Sequence, residues 1–268
     1  MLRSVHGRVF WSLLPNAPLE IRLSTGTRLL LEKEHSFTHC FWPDVDHFEP
    51  DVRAALRYFL KPGDTFVDCG ANIGYWSVFA AGIVGEKGAV VSIEANPDTF
   101  KLLQRNLGIN QFGEALNCAV TSKPGQFNLF VPREGGDVYS SLKIGGLVRE
   151  AGTESYQVEG RTLDDIVTAL SIKKIKLVKI DVEGAEMDVL RASGKILNDI
   201  RPILIVEYGM NTWPIFNSSA QDLQKFIAEK KYRCWLYNIE GQNLREPKQS
   251  DWDSPYTNLV LVPQELAL

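Results

Sequence analysis

From Thr65 onward the chain repeats one rhythm: a short apolar run of about five residues, a turn, then a helix-length segment. Thr65 to Cys69, Ala89 to Ile93, Lys176 to Ile180 and Ile203 to Glu207 read as strands. Ile73 to Val84, Pro97 to Leu107, Leu163 to Leu170, Ala185 to Ala192 and Asp222 to Glu229 read as helices, Pro97 sitting at a first turn where proline costs no hydrogen bond. Strands that are apolar throughout need cover on both faces. Alternation with helices provides it, so the pattern predicts an α/β fold with a mostly parallel sheet.

The flanks are less regular. Leu19 to Glu32 alternates around Ser24-Thr25-Gly26 as a β-hairpin, and Pro50 opens a helix that Pro62-Gly63 closes. Leu116 to Val120 reads as a third strand. Gln126 to Gly160, with Gly135-Gly136 and Gly145-Gly146, reads as loops and short β pieces. Tyr232 to Tyr237 and Asn258 to Val262 read as the last strands. Residues 1–49 are expected as an extension that covers the site, and 50–268 as the main domain.

Composition excludes several classes. With 29 basic against 33 acidic residues the net charge is −4, which argues against nucleic-acid binding. Cys40, Cys69, Cys118 and Cys234 are widely spaced with no CxxC pair. That predicts a reduced, cytoplasmic chain without a structural metal site. Val9 to Leu14 is too short for a membrane span and is stopped by Pro15.

Phe66-Val67-Asp68-Cys69-Gly70-Ala71-Asn72-Ile73-Gly74 carries the most local information. A strand entering a glycine turn and then a helix places that turn beyond the carboxyl end of a sheet, where α/β proteins bind ligands. Gly70 allows a reversal close to a ligand, and Gly74 allows close helix–sheet packing. Asn72 stands where a dinucleotide-binding turn has its second glycine, and Asp68 adds negative charge. Both disfavour a pyrophosphate and suit a cationic ligand. Glu94, 24 residues after Gly70, ends the next strand at an offset suited to ribose hydroxyls. Together they point to an adenosine with a cationic tail, as in S-adenosylmethionine.

Asp181 and Glu183, after the strand Leu177 to Ile180, and Glu207, after the next, emerge at the same sheet edge. Three acids there favour proton handling or cation binding. Either Asp181 or Glu183 can serve as the base that activates a hydroxyl. All four histidines lie in the first 50 residues; one of His35, His39 and His47 is the alternative base if their segment folds over the site. No clustered ligand set for a metal is evident.

These residues, from Phe48 to Val262, resemble the FkbM family of S-adenosylmethionine-dependent methyltransferases. The markers are FVDCGANIGYWS, SIEANPDTFKLLQRNL, Ser140-Ser141-Leu142, RTLDD, KIDVEGAEMDVLR and Ile205-Val206-Glu207-Tyr208. The resemblance implies a Rossmann-like fold with a seven-stranded sheet. It places the methionine part of the cofactor at Asp68, Gly70, Ala71 and Asn72, with Gly74, Asn96 and Asp181 also in the cofactor-binding set. Glu94 would take the ribose, Asn117-Cys118-Ala119 the adenine side, and Glu49 the amino group. It implies O-methylation of a hydroxyl on a sugar, glycan or polyketide-type product, with Ser140, Ser141, Glu207 and Trp213 on the acceptor side. N-methylation of a peptide or amide, or a non-catalytic binding protein on this fold, are the other readings. The oligomeric state is not set by the sequence.

Overall fold

A computed structural model describes residues 17–33, 35, 38, 48–133, 139–145, 148 and 152–267. Its main sheet has, among these residues, eight strands rather than the expected seven. In chain order they are β3 (Thr65–Cys69), β4 (Ala89–Ile93), β5 (Glu114–Leu116), β9 (Leu177–Ile180), β10 (Ile203–Gly209), β11 (Tyr232–Asn238), β12 (Asn243–Arg245) and β13 (Tyr256–Pro263). Across the sheet they run β12-β11-β13-β10-β9-β3-β4-β5. The five from β10 to β5 are parallel; β13, β11 and β12 add antiparallel pairs. The extra strand, β12, is a three-residue edge whose sequence carries no apolar run.

Strand side chains alternate between two cores. Phe66, Leu177, Ile203 and Val260 join one, together with α1 (Pro50–Phe59), α2 (Tyr75–Val84) and α3 (Pro97–Asn110). Val67, Val178, Leu204 and Leu261 join the other, with α4 (Leu163–Ala169), α5 (Glu186–Ala192) and α6 (Ala220–Glu229). A helical turn at Ile196–Ile200 and a 3₁₀ turn at Trp213–Phe216 also pack there.

Two expectations need correction. Leu116 to Val120 is not one strand. Asn117 donates its side-chain amide to the carbonyls of Glu94 and Ala95, which interrupts the ladder. β5 therefore ends in the main sheet and β6 (Ala119–Val120) begins another. The stretch from Gln126 is not a set of short pieces either. It holds β7 (Gly125–Pro132) and β8 (Thr153–Arg161), antiparallel over eight residue pairs, with β6 parallel to β8. The alternation of Phe127, Leu129 and Val131 is the signal that marks β7.

The N-terminal hairpin forms as expected, β1 (Leu19–Arg22) against β2 (Arg28–Leu31). It docks through side-chain amides of α3. Asn106 accepts from the Leu30 amide at 2.6 Å and donates to the Leu30 carbonyl at 3.2 Å. Asn110 repeats the exchange with Arg28, at 2.9 and 2.7 Å. Four helical residues rise about 6 Å and two strand residues about 6.8 Å, so the two spacings match. Asn106 also donates to the Ile73 carbonyl at 2.8 Å, tying the hairpin to the loop before α2.

Replacing Asn106 with Ala strands buried backbone groups of Leu30 and Ile73. At about 1–3 kcal/mol for each unsatisfied group, we expect a loss on the order of 3 kcal/mol in urea unfolding. An unchanged midpoint would show that water replaces the amide. Gly70→Ala is expected to be worse. Gly70 has φ +81°, and a Cβ there would lie 1.8 Å from the Asp181 carbonyl oxygen. Backbone of two strands would have to separate, so folding loss or a drop of about 3 kcal/mol or more is expected; a wild-type melting temperature contradicts this packing.

Candidate active site

Register alone brings the predicted acids together. Cys69 pairs with Ile93 on one side and Ile180 on the other, and Ile180 pairs with Val206. The residues that follow, Glu94, Gly70, Asp181 and Glu207, therefore stand in one row at the carboxyl edge of the sheet. Above that row lies a cavity of about 260 Å³. Its walls include Glu49, Gly70, Ala71, Asn72, Glu94, Cys118, Ala119, Ser140, Asp181, Glu183 and Glu207 among the expected residues.

Glu94 is held from two sides. Its Oε2 accepts from the Asn72 amide at 2.9 Å and its Oε1 from the Asn96 amide at 2.7 Å. Burial pushes its carboxyl up to about 7 in spite of those bonds. Asn72 takes a left-handed backbone, φ +50°, which asparagine tolerates better than most residues. The Gly70 and Ala71 amides both donate to the Ile93 carbonyl at 2.9 Å. A Cβ at Gly70 would meet the Asp181 carbonyl, so backbone beside this turn already requires the glycine. Gly74, φ +90°, is likewise required by helix–helix contact, since a Cβ would meet Leu103 of α3 at 2.7 Å, and not by helix–sheet packing.

Several expected contacts lie elsewhere. Asp68 is buried beneath the cavity and is not in its wall. Its Oδ2 accepts from Ser77 at 2.6 Å, and Ser77 accepts from Ser92 at 2.8 Å. Asp68 Oδ1 has no hydrogen-bond partner among the described residues, and burial raises its carboxyl. Asn96 caps α3, accepting from the Asp98 amide at 3.0 Å. Ser141 is buried and donates to the Glu183 carbonyl at 3.1 Å, leaving Ser140 alone in the wall. Trp213 is 0% exposed, with its indole N–H on the Glu207 carbonyl at 3.2 Å, so it is core and not an acceptor contact. A large aromatic between turn residues does not announce its burial in sequence.

A further residue, which the sequence pattern does not mark as part of the site, is Lys179. It sits 2% exposed in β9, directly across from Asp68. Its ammonium lies 2.5 Å from Asp181 Oδ2. Burial works against that charge, but Asp181, Glu49 and Asp68 outweigh it and hold the group protonated. Glu49 is pushed up to about 7 by burial, opposed by Lys179, and accepts from the Trp76 indole at 2.9 Å. Carboxylate oxygens of Glu49, Asp181 and Glu207 lie within 4.8 Å of one another. That spacing could hold a metal ion, which the sequence pattern does not announce; Lys179 already supplies one positive charge to it.

Glu183 adopts φ +55° in the turn after β9. Glu186, a buried residue that sequence reading passed over, braces that turn by accepting from the Val182 and Gly184 amides at 2.9 and 3.0 Å. Burial, then the charges of Asp181 and Glu186, lift Glu183 well above the usual carboxylate range. Glu207 is raised by burial and the same neighbours. His35 lies 3.7 Å from Glu32, away from the cavity wall. His39 and His47 are outside the described residues, as is Cys40; Cys69, Cys118 and Cys234 are free thiols. Among the described residues no helix is long and apolar enough to cross a membrane.

Comparisons with known proteins speak to family and fold. The chain is 31% identical over 149 residues to Methyltransferase 1 of Beauveria bassiana, covering 48% of this chain and 59% of that one. It is 27% identical over 186 residues to Hexuronic acid methyltransferase AglP of Haloferax volcanii, covering 68% and 69%. It thus spans about three fifths of the length of the first two curated relatives it matches. Among solved structures, a putative rRNA-methylase from Clostridium thermocellum superposes with a TM-score of 0.50 at 13% identity, over 80% of this chain and 93% of that one, a likeness of fold. The model of the Methyltransferase FkbM domain matches residues 68–234, from the end of β3 into β11. That span is more than half of the chain, which therefore belongs to the FkbM family of methyltransferases.

Proposed function

We propose that this chain is an S-adenosylmethionine-dependent methyltransferase acting on a hydroxyl of a sugar or glycan. The observation that carries the reading is Glu94, fixed by two backbone amides at the cavity wall beside the Gly70 turn. A carboxylate so held keeps lone pairs for the two hydroxyls of a ribose. The donor set also fits: among the described residues five carboxylates line the cavity against one ammonium, an environment suited to a cationic ligand. Gly70, Ala71 and Asn72 would border its methionine part, Cys118 and Ala119 its adenine, and Glu49 its amino group. When bound, the cofactor supplies an electrophilic methyl group on sulfur.

The chain's own task is then to place an acceptor oxygen and take its proton. Positioning can supply about 7–11 kcal/mol. For the proton we favour Glu183 over Asp181, because Asp181 spends an oxygen on Lys179 at 2.5 Å. A carboxylate raised by burial and by neighbouring acids is the stronger base. Glu207 and Ser140 are assigned to the acceptor. A relative named as a hexuronic acid methyltransferase supports a sugar acceptor, and the separated cysteines fit a cytoplasmic location. The direct test is methyl transfer from labelled S-adenosylmethionine to a panel of glycosides and hydroxylated metabolites, beside binding of S-adenosylhomocysteine by calorimetry. A chain that binds neither cofactor nor product is not this enzyme.

Glu94→Gln retains the shape but turns one acceptor oxygen into an N–H donor and removes the charge from the other. At about 1.5–3 kcal/mol for hydrogen bonds to a charged group, S-adenosylhomocysteine affinity is expected to fall at least tenfold; an equal dissociation constant would make Glu94 a turn brace only. Glu183→Gln should lower kcat about 10²-fold with little change in cofactor affinity. In the parent, kcat should rise with pH as Glu183 loses its proton, above the ordinary carboxylate range, and that rise should vanish in the variant. If Glu207→Gln abolishes it and Glu183→Gln does not, the base is Glu207.

A further inference from the structure

Large apolar side chains at a protein surface are ordinary when scattered and informative when gathered. Of the six exposed among the described residues, Met210 and Tyr256 are brought together by the β10–β13 pairing, and Tyr139 and Ile144 share one short segment. Tyr256 begins β13 opposite Gly209, and the next amide, Met210, donates to the Pro255 carbonyl at 3.2 Å. The segment carrying Tyr139 and Ile144 is anchored: Ser141 exchanges backbone bonds with Phe130, and Lys143 donates to the Ile215 carbonyl at 3.3 Å. Tyr139 and Tyr256 line the cavity itself, 37% and 39% exposed. Glu183 and Glu207 are the acids whose charges, after burial, most affect the Tyr256 hydroxyl, which is pushed up to about 12 and so stays a donor.

Aromatic faces beside carboxylates make a mixed surface. Rings take the C–H faces of a saturated ring, and carboxylates accept from its hydroxyls. The one ammonium in the described wall, Lys179, is engaged by Asp181, so an acceptor carboxylate would meet like charges without a free cation. We propose that Tyr139 and Tyr256 determine acceptor specificity by packing against the ring of an uncharged or amine-bearing sugar, and that the cavity rejects a sugar carboxylate. This rests on the methyltransferase reading above, and it departs from the hexuronic acid in the name of one relative.

The test uses the whole chain saturated with S-adenosylhomocysteine, whose binding is measured separately by calorimetry. Saturation-transfer NMR is run with methyl glucoside, methyl glucosaminide and methyl glucuronide. The first two should bind, and the glucuronide at least tenfold more weakly. Tyr256→Ala and Tyr139→Ala should each weaken the glucosaminide at least tenfold with S-adenosylhomocysteine affinity within twofold of the parent. Tyr256→Phe, which keeps the ring, should remain within threefold. A glucuronide that binds as well as the glucoside overturns the proposal, as does an unchanged affinity in Tyr256→Ala. Absence of binding by all three sugars also overturns it, while intact S-adenosylhomocysteine binding leaves the cofactor reading standing. Loss of that binding in the parent chain removes the proposed function and this inference with it.

Discussion

A buried ammonium is among the costliest groups a fold can hold, and Lys179 is placed where the chain cannot avoid compensating it. Its position in β9 puts it beside Asp68 of β3, below Glu49 at the start of α1 and against Asp181 at its own strand end. Removing one partner of a buried pair typically costs about 3–5 kcal/mol, because the remaining charge is left without an answer. The lysine therefore obliges three separate segments to meet at one point. Those segments are also the ones that carry the glycine turn, the helix before it and the strand-end acid.

The same charge explains how so many carboxylates coexist. Glu49, Asp181 and Glu207 stand within 4.8 Å of one another, with Glu183 and Glu186 close behind. One cation within the group offsets part of their repulsion; burial and mutual repulsion lift Glu49, Glu183, Glu186 and Glu207 above ordinary carboxylates. A site of this kind is poised for a positive ligand and stores basicity for use when a proton must leave. The polar column of Ser92, Ser77 and Asp68 is buried, and its hydrogen bonds link α2 to β3 and β4.

Much of this was legible because it depends on short-range pattern. Strand–helix alternation is written in runs of five apolar residues, and register then delivers Glu94, Gly70, Asp181 and Glu207 to a single row. What escaped depends on contact across the fold. That Gly70 makes room for the Asp181 carbonyl requires knowing how far apart β3 and β9 lie. That Trp213 and Ser141 face inward, while Tyr139 and Tyr256 face the cavity, is a matter of how turns sit on their neighbours. Lys179 was visible only as one polar residue in an apolar strand; its partners come from three elements. The β7–β8 pair was missed for a different reason, because glycines between the two runs outweighed the alternation of Phe127, Leu129 and Val131.

The amides of Asn106 and Asn110 carry one more consequence. An open strand edge is a template on which another chain can add a strand, the first step of aggregation. The outward amides and carbonyls of Arg28 and Leu30 are the groups such a strand would use. Both residues instead exchange hydrogen bonds with helix side chains. Two asparagines one helical turn apart thus stand in for a missing strand, and they close that edge to self-association without lengthening the sheet.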